Sequence, residues 1–175
     1  MAHPRKRIRE AFRARLADSV DGEYRTAAQS RVYASRMAPV NEEELKEDGP
    51  AILVYARMEK YNPEKDYGIE GDATYIEREL TIVTEAMLLG TETVDDKLDD
   101  IAEQMEAAFE GFVIPGFESA RMRLLESDID VITEQVKRPI GAIGLVWQVI
   151  YRTAWRPRVT ADNLDADMAD FLAGK

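Results

Sequence analysis

Residues Tyr75 to Leu89 read YIERELTIVTEAMLL and decide the fold class. Ile76, Arg78, Leu80, Ile82, Thr84, Ala86 and Leu88 fall on one side, the alternation of a half-buried β-strand. At ~3.3 Å per residue such a strand reaches about 50 Å, longer than a small domain usually needs. It runs straight into a helical pattern, Val94 to about Phe109, in which Leu98, Ile101, Met105, Ala108 and Phe109 form one apolar stripe. Thr93 is the expected N-cap, Asp95 and Asp96 suit the helix dipole, and Gly111 marks the end. A long strand feeding a helix that must lie back on its own sheet is an α+β signature.

Working outward, Ala51 to Met58 is a strand with Ile52, Val54, Ala56 and Met58 on one face and Leu53 and Tyr55 on the other. Apolar residues on both faces predict an interior position in the sheet. Ala142 to Thr153 reads the same way, with Ile143, Leu145, Trp147, Val149 and Tyr151 opposed by Val146 and Ile150. In Arg121 to Thr133 the apolar phase slips from Met122 and Leu124 to Leu125, Ile129 and Val131. A one-residue slip would turn the strand over, so a β-bulge is predicted near Leu124–Leu125. Upstream, Pro4 opens a helix carrying Ile8, Ala11, Phe12 and Leu16 at i, i+3, i+4 spacing. Asp21-Gly22 breaks the chain, Arg31 to Met37 reads as an edge strand, and Pro39 to Pro50 and Tyr61 to Thr74 read as loops.

The expected fold is therefore α+β: a mixed or antiparallel β-sheet of four to five strands, two main helices packed on one face, and a long β-hairpin. Residues 1–156 make one domain. Residues 157–175 follow as a tail or short helix carrying Leu164, Met168, Phe171 and Leu172.

Composition narrows the chemistry. The 175 residues are 45% hydrophobic and 33% charged, as in ordinary globular proteins, and 34 acids against 23 bases leave a net charge of −11. An acidic chain is poorly suited to gripping phosphates. With no cysteine, disulfides, thiol nucleophiles and Cys-based zinc sites are excluded. The single histidine, His3, sits by the N-terminus. No apolar stretch follows the basic start as a secretion signal would require, and the longest apolar run, Ile140 to Tyr151, is too short to span a bilayer. A soluble, cytoplasm-like setting without membrane contact is expected.

Asp95, Asp96, Asp99 and Asp100 could hold Mg²⁺ on one helix face, the basis of a small metal-dependent enzyme, but a solvated helix start explains them as well. Asp162 to Asp170 lacks the glycine and closing glutamate of a calcium loop. Gly141 and Gly144 precede no helix, so they serve close strand packing rather than a dinucleotide. No catalytic residue, metal or cofactor is expected. The strongest electrostatic feature is the first helix, whose outer face bears Arg5, Lys6, Arg7, Arg9, Arg13 and Arg15. In an acidic chain the acidic loop with Glu42, Glu43, Glu44, Glu47 and Asp48, on a neighbouring copy, is an easier complement than a phosphate backbone, and a simply solvated face explains the cations as well.

The layout resembles the tail terminator (tail-to-head joining, minor tail protein U-like) family of long-tailed bacteriophages. Four stretches carry the resemblance: the amphipathic helix Arg5 to Ala17; Arg31-Val-Tyr-Ala-Ser-Arg36 leading through the acidic loop into Gly49-Pro-Ala-Ile-Leu-Val-Tyr-Ala-Arg57; the strand Tyr75 to Leu89 with Val94-Asp-Asp-Lys-Leu-Asp-Asp-Ile-Ala102; and the hairpin of Arg123-Leu-Leu-Glu-Ser127 with Arg138-Pro-Ile-Gly-Ala-Ile143 and Val149-Ile-Tyr-Arg152. Together they cover residues 5 to 155 in order and spacing, without an invariant motif. The resemblance implies a structural virion protein at the neck of the tail, assembled in the bacterial cytoplasm. It would form a homohexameric ring on the tail tube protein, end tail polymerisation and present a surface to the head-tail connector or head-completion protein, with DNA passing through unbound. Contacts to neighbouring subunits or the tube would fall on Arg5, Arg9, Arg13, Arg15, Arg36, Glu42, Glu43, Glu44, Glu47 and Asp48. The nearest alternative is another neck or head-completion connector.

Overall fold

A computed structural model describes residues 2–35, 40, 42–45, 49–61, 67–70, 73–90, 93–132 and 140–155. In chain order the elements are α1 (Pro4–Leu16), β1 (Ser19–Val20), β2 (Glu23–Tyr24), β3 (Val32–Ala34), α2 (Glu42–Leu45), β4 (Ala51–Tyr61), β5 (Tyr67–Glu70), β6 (Ala73–Leu89), α3 (Val94–Phe109), β7 (Arg121–Ile132) and β8 (Ile140–Trp155). The fold is α+β, as the sequence predicts.

The main sheet has the order β3-β4-β6-β8-β7, with β5 added alongside β6. Only β3 on β4 is parallel; every other pairing is antiparallel. The strands with two apolar faces, β4 and β8, do lie inside the sheet, and β3 is its short edge. The predicted bulge falls between Leu124 and Glu126: Leu124 pairs with Trp147 and Glu126 with Val146, while Leu125 is skipped and left 51% exposed. A second bulge interrupts β4 between Ala56 and Met58, so Met58, paired with Thr81, leaves the face of Ile52, Val54 and Ala56 on which its sequence phase placed it.

Helices α1 and α3 share one face of the sheet. Ile8, Phe12 and Leu16 of α1 and Leu98, Ile101, Met105, Ala108 and Phe109 of α3 are buried there against Ile52, Val54, Leu80, Ile82, Ile143, Leu145, Val149 and Tyr151. At the centre, the Phe12 and Phe109 rings lie 4.6 Å apart and Phe109 and Trp147 4.9 Å apart, within the range of favourable aromatic packing. Thr84 stands in this apolar row because its hydroxyl accepts the Trp147 indole N–H at 3.0 Å. α3 spans Val94 to Phe109 as predicted. Thr93 sits at its N-cap without a side-chain cap bond, and Gly111, at φ +62°, turns the chain away.

The structure adds four short elements that the sequence did not reveal. Asp21 (φ +54°) and Gly22 (φ +88°) are the two-residue turn of a β1–β2 hairpin rather than a mere breaker. The expected loop at Tyr61 to Thr74 contains β5, which pairs Tyr67 with Tyr75 and Glu70 with Ala73; four residues are too few to show an alternation. The expected acidic loop at Pro39 to Pro50 contains the single turn α2. Val40 and Leu45 are buried with Ala51, Met87, Ile140 and Ala142 on the sheet face away from α1 and α3. The C-terminal segment read as tail or helix lies outside the described residues. No described helix is long and apolar enough to cross a membrane.

Gly141 shows why a strand tolerates glycine here. A Cβ at this position would meet Val94 Cγ2 at 2.5 Å, so α3 can start this close to β8 only over a bare backbone. Gly141→Ala should destabilise the fold by about 1–3 kcal/mol in chemical denaturation, the usual overpacking cost. Gly144→Ala, whose Cβ would find nothing nearer than 3.9 Å, should leave stability within about 1 kcal/mol of the original.

Candidate functional site

The cations of α1 divide into two sets once the helix is seated on Ile8, Phe12 and Leu16. On one flank Arg7 lies over the Phe117 ring at 4.7 Å and Arg15 over Phe112 at 5.3 Å. Arg15 Nε donates to the Ala108 carbonyl, one of the last-turn oxygens of α3 that lack an intrahelical partner, and its guanidinium lies 3.9 Å from Asp18. Burial, reinforced by nearby Arg25 and opposed by Asp18, holds the Arg15 pKa below the ordinary arginine value. Arg15, predicted as a contact residue, therefore ties α1 to α3 within the chain. On the other flank Arg5, Arg9 and Arg13 recur every fourth residue and share a stripe. Arg5 is exposed; Arg13 pairs with Glu10 at 3.1 Å, both side chains about two-fifths exposed; and Arg9 Nε has no acceptor among the described residues.

Of the predicted acidic partners, Glu44 is exposed on α2, and Glu42 and Glu43 share that turn. Arg36, Glu47 and Asp48 lie outside the described residues. Because Leu45 anchors α2 on the far face, the α2 acids and the α1 cations sit on opposite sides of the sheet.

That far face holds a feature that only the strand register reveals. Before the bulge in β7, Arg121 and Arg123 point to the far face. After it, Glu126, Asp128 and Asp130 do, opposite Val146, Gly144 and Ala142. One extra residue thus splits the face by charge. The half toward Tyr61 is balanced: Arg152 and Arg121 approach Glu77 at 3.8 and 4.0 Å, and Arg123 donates to Gln148, which donates to Glu79 across three strands. The other half is a shallow depression of about 290 Å³ lined by Glu85, Glu126, Asp128 and Asp130, with Arg57 and Tyr55 at its side and Gly144 in its floor. Burial raises the Glu85 pKa, and the Asp130 charge raises it further. Burial and then Glu85 likewise raise Tyr55, with Arg57 opposing. The residues lining the depression include no histidine, serine or cysteine, so it offers charge and shape rather than a nucleophile with its base.

On the helix side, Tyr151 donates to Glu59, which accepts from Arg78 at 3.2 Å, while Arg78 Nε donates to Thr153 at 3.0 Å. Burial and the Glu59 carboxylate push the Tyr151 phenol far above its usual range, so the network is a fixed polar plug in the core. Asp95, Asp96, Asp99 and Asp100 are all exposed, and among the described residues no group of three or more His, Asp or Glu could hold a metal ion. Compared with protein-family models and with curated proteins, the chain gives no match.

Two outcomes test this electrostatic layout. The folded chain holds the Glu85 proton more tightly than the unfolded chain, so ionising Glu85 costs stability above the raised range, and that cost fades as the pH falls through it toward 4.5. Glu85→Gln should therefore raise the Tm near neutrality, and its advantage should shrink as the pH is lowered. Arg15→Ala should cost about 1–2 kcal/mol by urea titration, since it strips α3 of a carbonyl partner and Phe112 of its cation. Arg13→Ala should cost no more than about 0.5 kcal/mol.

Proposed function

We propose that this chain is a non-enzymatic structural protein of the bacteriophage tail terminator type, forming a ring that caps the tail tube and receives the head. The observation that carries this reading is the segregation of charge across the sheet. The helix layer carries a row of arginines, Arg5, Arg9 and Arg13, and the far face of the sheet carries an acidic depression. Two different, complementary patches on opposite sides of one subunit are what a head-to-tail interface needs, and such an interface closes into a ring when its rotation allows. The order of helix, edge strand, long strand, helix and final hairpin agrees with the stretches on which the family resemblance rests. A net charge of −11 suits a ring around DNA that must slide, because attraction to phosphates would slow its passage. The rival Mg²⁺ enzyme gains no support from four exposed aspartates at the start of α3.

Two experiments test the proposal. Negative-stain microscopy of the concentrated protein should show closed hexameric rings with a central hole. Phage in which the gene is disrupted should build overlong tails that fail to join heads. Tails of normal length would overturn the terminator role and favour the neck connector.

A further inference from the structure

The helix layer stops short of one end of the sheet. α3 begins over Gly141, at the end of the β6–β8 ladder where Leu89 faces Ile140. α1 begins near the other end, at the level of Tyr151. There Arg7 covers the Phe117 ring, Phe117 packs edge-on against Tyr151 at 5.3 Å, and the Arg5 charge is felt at the Tyr151 phenol. The ladder continues from Tyr151 to Trp155, about 13 Å at the strand rise of ~3.3 Å per residue. On the helix side of this extension stand Tyr61, opposite Arg78, and Ile76, opposite Thr153. Tyr61 is 67% exposed, and Ile76 is half-buried yet belongs to neither core cluster. Among the described residues this strip of sheet has apolar surface and no cover.

Two observations point to its occupant. The first is where the chain goes. β8 ends at Trp155 because β6 begins at Ala73 and Pro157 has no N–H with which to continue the ladder. Residues 156–175 therefore set out from the end of the bare strip. In them Leu164, Met168, Phe171 and Leu172 recur at i, i+4, i+7 and i+8, one apolar stripe. Thr160 is a capping residue type, Asp162 suits a first turn, Ala161, Ala166 and Ala169 favour a helix, and Gly174 suits its end. Residues 156–163 span up to about 26 Å when extended, enough to fold the stripe back over Ile76 and Tyr61. They cannot carry it to the Leu89 end, about 50 Å away. The second observation is charge. Asp162, Asp165, Asp167 and Asp170 make the stretch acidic. Arg5 and Lys6, on the first turns of α1 beside the strip, are exposed and take part in no ion pair among the described residues. The outer face of α3, with four exposed aspartates in its first two turns, would repel it.

We propose that residues 161–172 form a helix that docks on this strip of their own chain, with the apolar stripe on Tyr61 and Ile76 and the aspartates toward Arg5 and Lys6. The helix layer then covers the sheet from end to end. The inference concerns a single chain and stands apart from the ring reading.

Hydrogen exchange on the full chain should show the amides of 162–172 exchanging at least about tenfold more slowly than in a synthetic peptide of residues 156–175, at any protein concentration. Arg5→Glu with Lys6→Glu should speed that exchange at least about threefold, and glutamates in the first turns suit the helix dipole, so α1 keeps its fold. Tyr61→Asp, at an exposed position, should act the same way from the sheet side. Because the chain has no cysteine, Tyr61→Cys with Met168→Cys gives a second readout: a short bis-maleimide should link the two within one monomer. Exchange at the peptide's rate, protection that both variants leave intact, or absence of the internal link would each overturn the docking. Links that join two chains, with protection that grows with concentration, would overturn it in favour of a second copy's sheet.

Discussion

The ladder between β6 and β8 runs without a break from Thr74 opposite Trp155 to Leu89 opposite Ile140, and the other elements are placed by it. It sets which side chains of two long strands share a face: Leu80, Ile82 and Leu88 with Ile143, Leu145 and Val149 on one side, Glu79 and Glu85 with Gln148 and Gly144 on the other. A shift of one residue would carry the whole apolar row into solvent. That penalty holds the register, and the register in turn gives α1 and α3 a flat apolar floor. Phe12, Phe109 and Trp147 lock the two helices to that floor near its centre.

Charge is sorted by the same geometry. The α1 cations on the flank toward α3 are spent inside the fold, Arg7 on Phe117 and Arg15 on Phe112 and the end of α3. On the other flank Arg13 pairs with Glu10 on the helix itself, and Arg5 is exposed. On the far face the sorting is done by β7, whose skipped Leu125 exchanges Arg123 for Glu126 as the residue that looks away from the helices. A single backbone irregularity thus carries the electrostatic character of a whole surface.

Much of this was legible in the amino-acid order. The periodicities of Val94 to Phe109 and of the long strands are strong because one face of each is buried, and the phase slip at Leu124–Leu125 can be resolved only by an extra residue. The β1–β2 hairpin, β5 and α2 were not legible, since elements of two to four residues carry no period. The acidic depression was hidden for a different reason. Glu85 and Glu126 are distant in sequence and come together only across β8, through a register no local pattern encodes. The role of Arg15 was hidden likewise, because an arginine on a helix face looks the same whether it meets water or another helix's last carbonyl.

Bulges interrupt β4 between Ala56 and Met58 and β7 between Leu124 and Glu126. β7 is the last strand on its side, and β3 pairs with β4 only from Ile52 to Val54, so both irregularities lie where a foreign strand could try to dock. Such a strand would stay in phase for only a few residues before the extra residue displaced its hydrogen bonds, and on β7 it would also meet a row of carboxylates. Among the described strands, the two bulges thus work against edge-to-edge pairing of one copy's sheet with another's.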